Sequence, residues 1–228
     1  MPIRSLVGAA RPPRASLAIG LAAAIGSTLF SLSLAPPVFG APASSSSDQA
    51  ALQTQTLTLS DLPQGWKATT SASSSGGATS SCGGRPFGAS QRTAQTQVSF
   101  QDPSGLPELF EQISDYNSPS TVFAKGVRDL NRCHNVSISQ SGAPLKIHVA
   151  RLAYRGGRLT AAYTLSFVVK NASVAKGQDV GIDVVLVRVG DEIVEVGLAD
   201  VPRPPVSQLR SFVTKAIADI KKHPQSGG

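Results

Sequence analysis

Between Leu145 and Leu198 the side chains alternate in polarity with a period of two through several consecutive stretches, separated by short turns. Leu145, Ile147 and Val149 share one side of the first stretch, with Lys146 and His148 on the other. Arg155-Gly-Gly-Arg158 forms a hairpin turn into Leu159–Val169, where Leu159, Ala161, Tyr163, Leu165, Phe167 and Val169 share a face. Val180–Val189 is apolar on both faces, as a central strand is, and Gly190-Asp191 turns it into Ile193–Leu198. Neighbouring strands joined by short turns run antiparallel, so this half of the chain predicts an antiparallel meander.

Two amphipathic segments accompany the strands. In Ser118–Cys133, Ser118 suits an N-cap and Pro119 the first helical position, while Val122, Phe123, Val127 and Leu130 recur at helical spacing. Gly126 weakens this helix by about 1 kcal/mol relative to alanine, which points to a close approach against a sheet. After the break at Pro202–Pro205, a second stripe comprises Val206, Leu209, Val213, Ala216, Ile217 and Ile220, closed by Lys221, Lys222 and Pro224. Further strands are predicted at Ala94–Gln101 and Val136–Ser139. The segment Leu106–Tyr116 fits either period: Leu106, Leu109, Phe110 and Ile113 suit a helix, whereas Pro107 and the immediate restart at Ser118 suit a returning strand. The pattern gives one α+β domain over residues 55–223, followed by a disordered tail at 224–228.

The N-terminal region reads as a targeting segment. Arg4, Arg11 and Arg14 precede an uncharged apolar run from Ala15 to Phe39, with small residues at Gly40, Ala41 and Ala43. Residues 1–43 are therefore expected to be a signal peptide or, left uncleaved, a signal anchor. No cysteine lies near this boundary, so lipoprotein acylation has no attachment point. The chain carries 21 basic and 14 acidic residues; loss of the three leader arginines leaves 18 against 14, a net charge of +4. The remaining basic residues form no run interleaved with aromatics, which argues against nucleic acid as a partner. Residues 44–54, rich in Ser, Ala and Gln, read as a flexible linker without core. Ala68–Gly84 is composed of Ala, Thr, Ser, Gly and Cys and reads as a mobile loop, whether lid or slack.

Two cysteines in an exported chain are most simply one disulfide, Cys82–Cys133; two free thiols or a metal pair are the alternatives. His134, His148 and His223 share no metal-ligand spacing, and no metal or cofactor is expected. Ser173-Val-Ala-Lys176 matches the S-x-x-K pattern of serine acyl-transferases, but the companion motifs are missing and the tetrapeptide falls in an interstrand loop. Asp179, Asp183, Asp191, Glu192 and Glu195 read as a solvated sheet edge balanced by Arg188 and Lys176, with calcium or glycoside chemistry the sharper alternatives. Arg188 interrupts an apolar strand and needs a partner if buried, for which Glu195 across the hairpin is the candidate. Trp66, Tyr154 and Arg188 are the candidate ligand-contacting residues. Asn135-Val-Ser137 and Asn171-Ala-Ser173 are sequons.

The turn Asp61-Leu-Pro-Gln-Gly-Trp66, Tyr116 followed by the Ser118–Cys133 helix, the Gly181–Val189 and Gly190–Val196 strand pair and the last helix resemble PknH-like extracellular sensor domains. These occur in actinobacterial Ser/Thr kinases, in secreted proteins and in LpqN-type lipoproteins. The resemblance implies a PsbP-like antiparallel sheet of about five to seven strands with two helices on one face, and a strand at Glu108–Tyr116. It also implies an extracytoplasmic binding or sensing role without catalytic residues. The chain departs from the pattern in having one cysteine pair, no kinase domain and no lipid-attachment cysteine. The expected function is an exported envelope module that binds a small molecule, lipid, cell-wall fragment or envelope protein. The alternatives are a hydrolase or acyl-transferase using Ser173 and Lys176, and a purely structural partner protein.

Overall fold

The computed structural model describes residues 46–69, 88–140, 143–168 and 179–224. The leader at 1–43, residues 70–84 of the Ser/Gly loop, Cys82, the sequon at Asn171, Ser173, Lys176 and the tail from 225 all lie outside them.

Eight antiparallel strands form one sheet: β1 (Lys67–Thr69), β2 (Arg92–Gln101), β3 (Glu108–Tyr116), β4 (Asn135–Gln140), β5 (Ala143–Arg151), β6 (Thr160–Val168), β7 (Asp179–Val189) and β8 (Glu192–Asp200). Their order across the sheet is β1-β2-β3-β8-β7-β6-β5-β4. The helices are α1 (Ser46–Gln53), α2 (Pro119–Asn131) and α3 (Val206–Lys222). The α+β class and the antiparallel sheet are as the period-two pattern predicts. The segment of ambiguous period is strand β3, buried along nearly its whole length because it lies between β2 and β8.

The helices do not share one face. Val185, Val187, Val194, Val196, Leu109 and Ile113 join α3 residues Leu209, Phe212, Val213 and Ala216 in one cluster. Leu186, Ile193, Tyr163 and Ala161 join Val122 and Phe123 of α2 in another. Successive residues of β7 and β8 thus feed opposite clusters, and successive side chains of a strand point to opposite faces. Hence α2 covers one face and α3 the other, which corrects the expected placement. The physical reason lies in β7 and β8 themselves: occupying the sheet centre and apolar on both sides, they need a cover on each side.

A second correction concerns residues 44–54, expected to be a coreless linker. Ser46–Gln53 is helix α1, and Leu52 is fully buried in the α3-side cluster with Leu57 beside it. The domain therefore begins before residue 55, because these leucines supply apolar area that the exposed sides of α1 do not reveal. No described helix is long and apolar enough to cross a membrane.

Candidate functional site

The ladder between β5 and β6 ends at Arg151↔Tyr163, with one further bond from the Leu152 N–H to the Ala162 carbonyl at 3.0 Å. Beyond it the chain turns away: the Tyr154 N–H bonds the Leu152 carbonyl at 2.8 Å, and the Thr160 N–H bonds the Gly157 carbonyl at 3.0 Å. A Cβ at Gly156 would lie 2.5 Å from Thr160 Cγ2, so the turn closes only with glycine there. Where the strands separate, an open cleft of about 600 Å³ remains, lined by Arg151, Leu152, Tyr154, Arg155, Thr160 and Ala161 among others.

Tyr154 is half-buried and rests against the α3-side core. The guanidinium carbon of Arg210, on α3, lies 5.4 Å from the centre of its ring, a cation–π arrangement. Burial pushes the Tyr154 phenol up, opposed by the charge and hydrogen bond of Arg210. On the neighbouring strand, burial likewise raises the Tyr163 phenol while the Arg151 charge opposes it. The Tyr163 hydroxyl donates to Asn131 Oδ1 at 3.1 Å, tying β6 to α2. The salt bridges among the described residues are Lys125–Asp129, Arg203–Asp183 and Lys222–Asp219, and none involves Arg151, Arg155 or Arg210.

The three candidate ligand residues are not brought together. Trp66 is buried and meets Phe212 edge-on, with ring centres 5.6 Å apart at 64°. Tyr154 packs against the same cluster but borders the cleft. Arg188 points to the α2 face, where its Nη1 donates to Ser120 Oγ; its Nε is buried without a hydrogen-bond partner among the described residues. The expected Arg188–Glu195 pair does not form. Glu195 stands opposite Leu186, and neither of its carboxyl oxygens has a hydrogen-bond partner among the described residues.

Asp183, Glu192 and Glu195 are buried rather than on a solvated edge, while Asp191 at the turn is exposed. Asp183 and Glu195 are 0% and 3% exposed, because their strands run through the middle of the sheet. Asp183 accepts a hydrogen bond from the Thr164 hydroxyl at 2.6 Å and from Arg203 Nε at 3.0 Å. Burial pushes the Glu195 carboxyl up to about 7, and does the same to Glu108 and Glu192. Glu111 is pushed to about 8 by burial, against the opposing hydrogen bond from Leu57. These carboxyls were missed as buried groups, although Ile193-Val-Glu-Val-Gly-Leu198 places Glu195 inside an apolar run. Among the described residues no group of three or more His, Cys, Asp or Glu side chains is arranged to hold a metal ion. Cys133 is buried just past α2 and no free cysteine occurs among the described residues.

The chain matches no protein-family model and no curated protein. Among solved structures it is similar to the extracellular domain of PknH from Mycobacterium tuberculosis, with a TM-score of 0.47 and 10% sequence identity, over 69% of this chain and 78% of that one.

Proposed function

We propose that this protein is an exported, non-catalytic binding and sensing module of the cell envelope, and that its ligand occupies the cleft beside Tyr154. The observation that carries the proposal is the cleft itself, opened where the β5–β6 ladder stops. Its lining includes buried Leu152 and Ala161, half-buried Tyr154 and the two exposed arginines Arg151 and Arg155, a combination suited to holding a ligand. The apolar leader with its arginines supports export, either cleaved or retained as an anchor. The ligand in this proposal is a small molecule, a lipid or a cell-wall fragment.

Hydrogen exchange tests this directly. Adding soluble envelope fractions to the exported protein is expected to slow exchange across residues 151–162, and Tyr154→Ala is expected to abolish that protection. Protection elsewhere with none in this segment would remove the cleft as the ligand site. Labelling by a fluorophosphonate probe that disappears in Ser173→Ala would instead establish an enzyme.

A further inference from the structure

We infer that the cleft takes an organic phosphate, a phosphate group carried on an apolar body, with Arg151 and Arg155 as the oxyanion-binding residues. The inference rests on the cleft being the ligand site and adds the chemical class of the ligand. Arg151 and Arg155 line the cleft, and among the described residues no carboxylate does; Arg210, over the ring of Tyr154, belongs to the α3 face, whereas Arg151 shares the α2 face with Tyr163. All three arginines are exposed, and none has a carboxylate partner within salt-bridge distance among the described residues. Among the described arginines only Arg203 has a carboxylate partner, the buried Asp183.

Like charges gathered around one concavity repel each other, and an occupant that relieves the repulsion must be negative. A cationic ligand would add to the repulsion and a neutral one would leave it unchanged. Two arginines exceed what one carboxylate neutralises, while a phosphate monoester offers three acceptor oxygens and up to about two negative charges. The planar fork of arginine matches such oxygens two at a time. Beside the hydroxyls of Thr160 and Tyr154 the lining has an apolar part in Leu152, Ala153, Ala161 and Ala162, which suits an apolar body carrying the phosphate. A cleft of about 600 Å³ accommodates a ligand of that size. A soluble phosphate monoester presents this chemistry in full; a phospholipid diester headgroup presents it with one charge and two non-bridging oxygens, still a match for one guanidinium fork.

The test uses the exported protein and its Arg151→Gln/Arg155→Gln variant, with thermal unfolding to confirm that both fold. Calorimetric titration with monohexyl phosphate, with hexanol as the neutral control, reads the soluble source. Co-sedimentation with phosphatidylglycerol vesicles against phosphatidylcholine vesicles reads the lipid source. The expected result is binding of hexyl phosphate, of phosphatidylglycerol or of both, weakened about ten-fold or more in the variant, as loss of charge-assisted bonds implies. Lys125→Gln/Arg128→Gln, on the exposed side of α2, is expected to leave binding unchanged; an equal loss there would reduce the effect to general basic charge and overturn the inference. Absence of binding to both probes also overturns it. Hexanol protecting residues 151–162 in a Tyr154-dependent manner would discard the phosphate while leaving the cleft as a ligand site; failure of every fraction and probe to protect that segment would discard both.

Discussion

The Leu57 N–H donates to Glu111 Oε2 at 2.7 Å, a buried bond between the segment following α1 and the middle of β3. Close by, the Gln55 side chain donates to the His223 carbonyl at 2.7 Å and hydrogen-bonds the Glu192 carboxyl. The N-terminal segment is therefore locked onto the α3-side face by two buried acids and by the side chains of Leu52 and Leu57.

Deleting residues 46–57 should consequently unfold the domain, whereas a linker could be removed without effect. Leu52→Ala and Leu57→Ala should each cost about 2–5 kcal/mol, the range for deleting a fully buried leucine side chain. Urea denaturation of the protein measures this. Changes below about 0.5 kcal/mol would return the segment to the status of a tether.

Stability should fall as pH rises from about 5 to about 8. Glu195 in the fold holds its proton to about 7, against 4.5 for an ordinary glutamate. Below 4.5 both folded and unfolded chains carry the proton, and burial then incurs no ionic penalty. Between 4.5 and about 7 the unfolded chain alone releases it, so the fold loses ground by about 3 kcal/mol from this residue, with Glu111 acting in the same sense up to about 8. Glu195→Gln should flatten the profile and raise the urea midpoint at pH 8 relative to the unsubstituted protein. An unchanged slope in the variant would refute the assignment.

The strands were legible because period two survives in the sequence wherever one face is wet, as in Lys146–Val149, where Ile147 and Val149 are buried and Lys146 and His148 exposed. The two-sided apolar character of Val180–Val189 already implied two covering layers, yet the helices were assigned to one. Helix α1 was hidden for a different reason. Ser46–Gln53 has a single leucine, and its place is set by Leu52 and by contacts from Gln55 and Leu57 to residues far along the chain. Tertiary packing decides such a helix, not local preference. The cleft is similarly invisible in sequence, since it exists only because the β5–β6 register stops at Arg151.

Phe110 and Gly197 provide a sharper test of the α2 face. They are directly opposed across β3 and β8, and a Cβ at position 197 would fall 1.9 Å from the Phe110 ring. Gly197→Ala should destabilise by about 1–3 kcal/mol through overpacking. Phe110→Leu should reduce that penalty, giving a coupling above about 0.5 kcal/mol in a double-mutant cycle. Strict additivity would mean that the ring does not depend on the glycine.

If the chain is exported, as proposed, Cys82 and Cys133 are expected to be joined, there being two cysteines and no free one among the described residues. Thiol titration of the denatured, unreduced protein should then find no free thiol. Reduction should cost about 4 kcal/mol in the chain-entropy account, because the bond would close a long loop. Two reactive thiols would overturn the pairing.

Asp183 is fully buried, while the Arg203 side chain that pairs with it is 48% exposed, so the two ends of the bridge respond differently to substitution. Arg203→Ala leaves a buried carboxylate with the Thr164 hydroxyl as its remaining hydrogen-bond partner among the described residues, and should cost about 3–5 kcal/mol. Asp183→Asn in the same background removes the stranded charge and should recover part of that loss, since an amide still accepts the Thr164 hydrogen bond. Gly181 sharpens the geometry: a Cβ there would lie 2.9 Å from Arg203 Cα, so the 203 backbone crosses β7 at a point that admits no side chain. Gly181→Ala should therefore weaken the same bridge by displacing Arg203, and its effect should shrink once Arg203 is already alanine. Full additivity of Gly181→Ala and Arg203→Ala in urea denaturation would show that the close approach and the ion pair are independent.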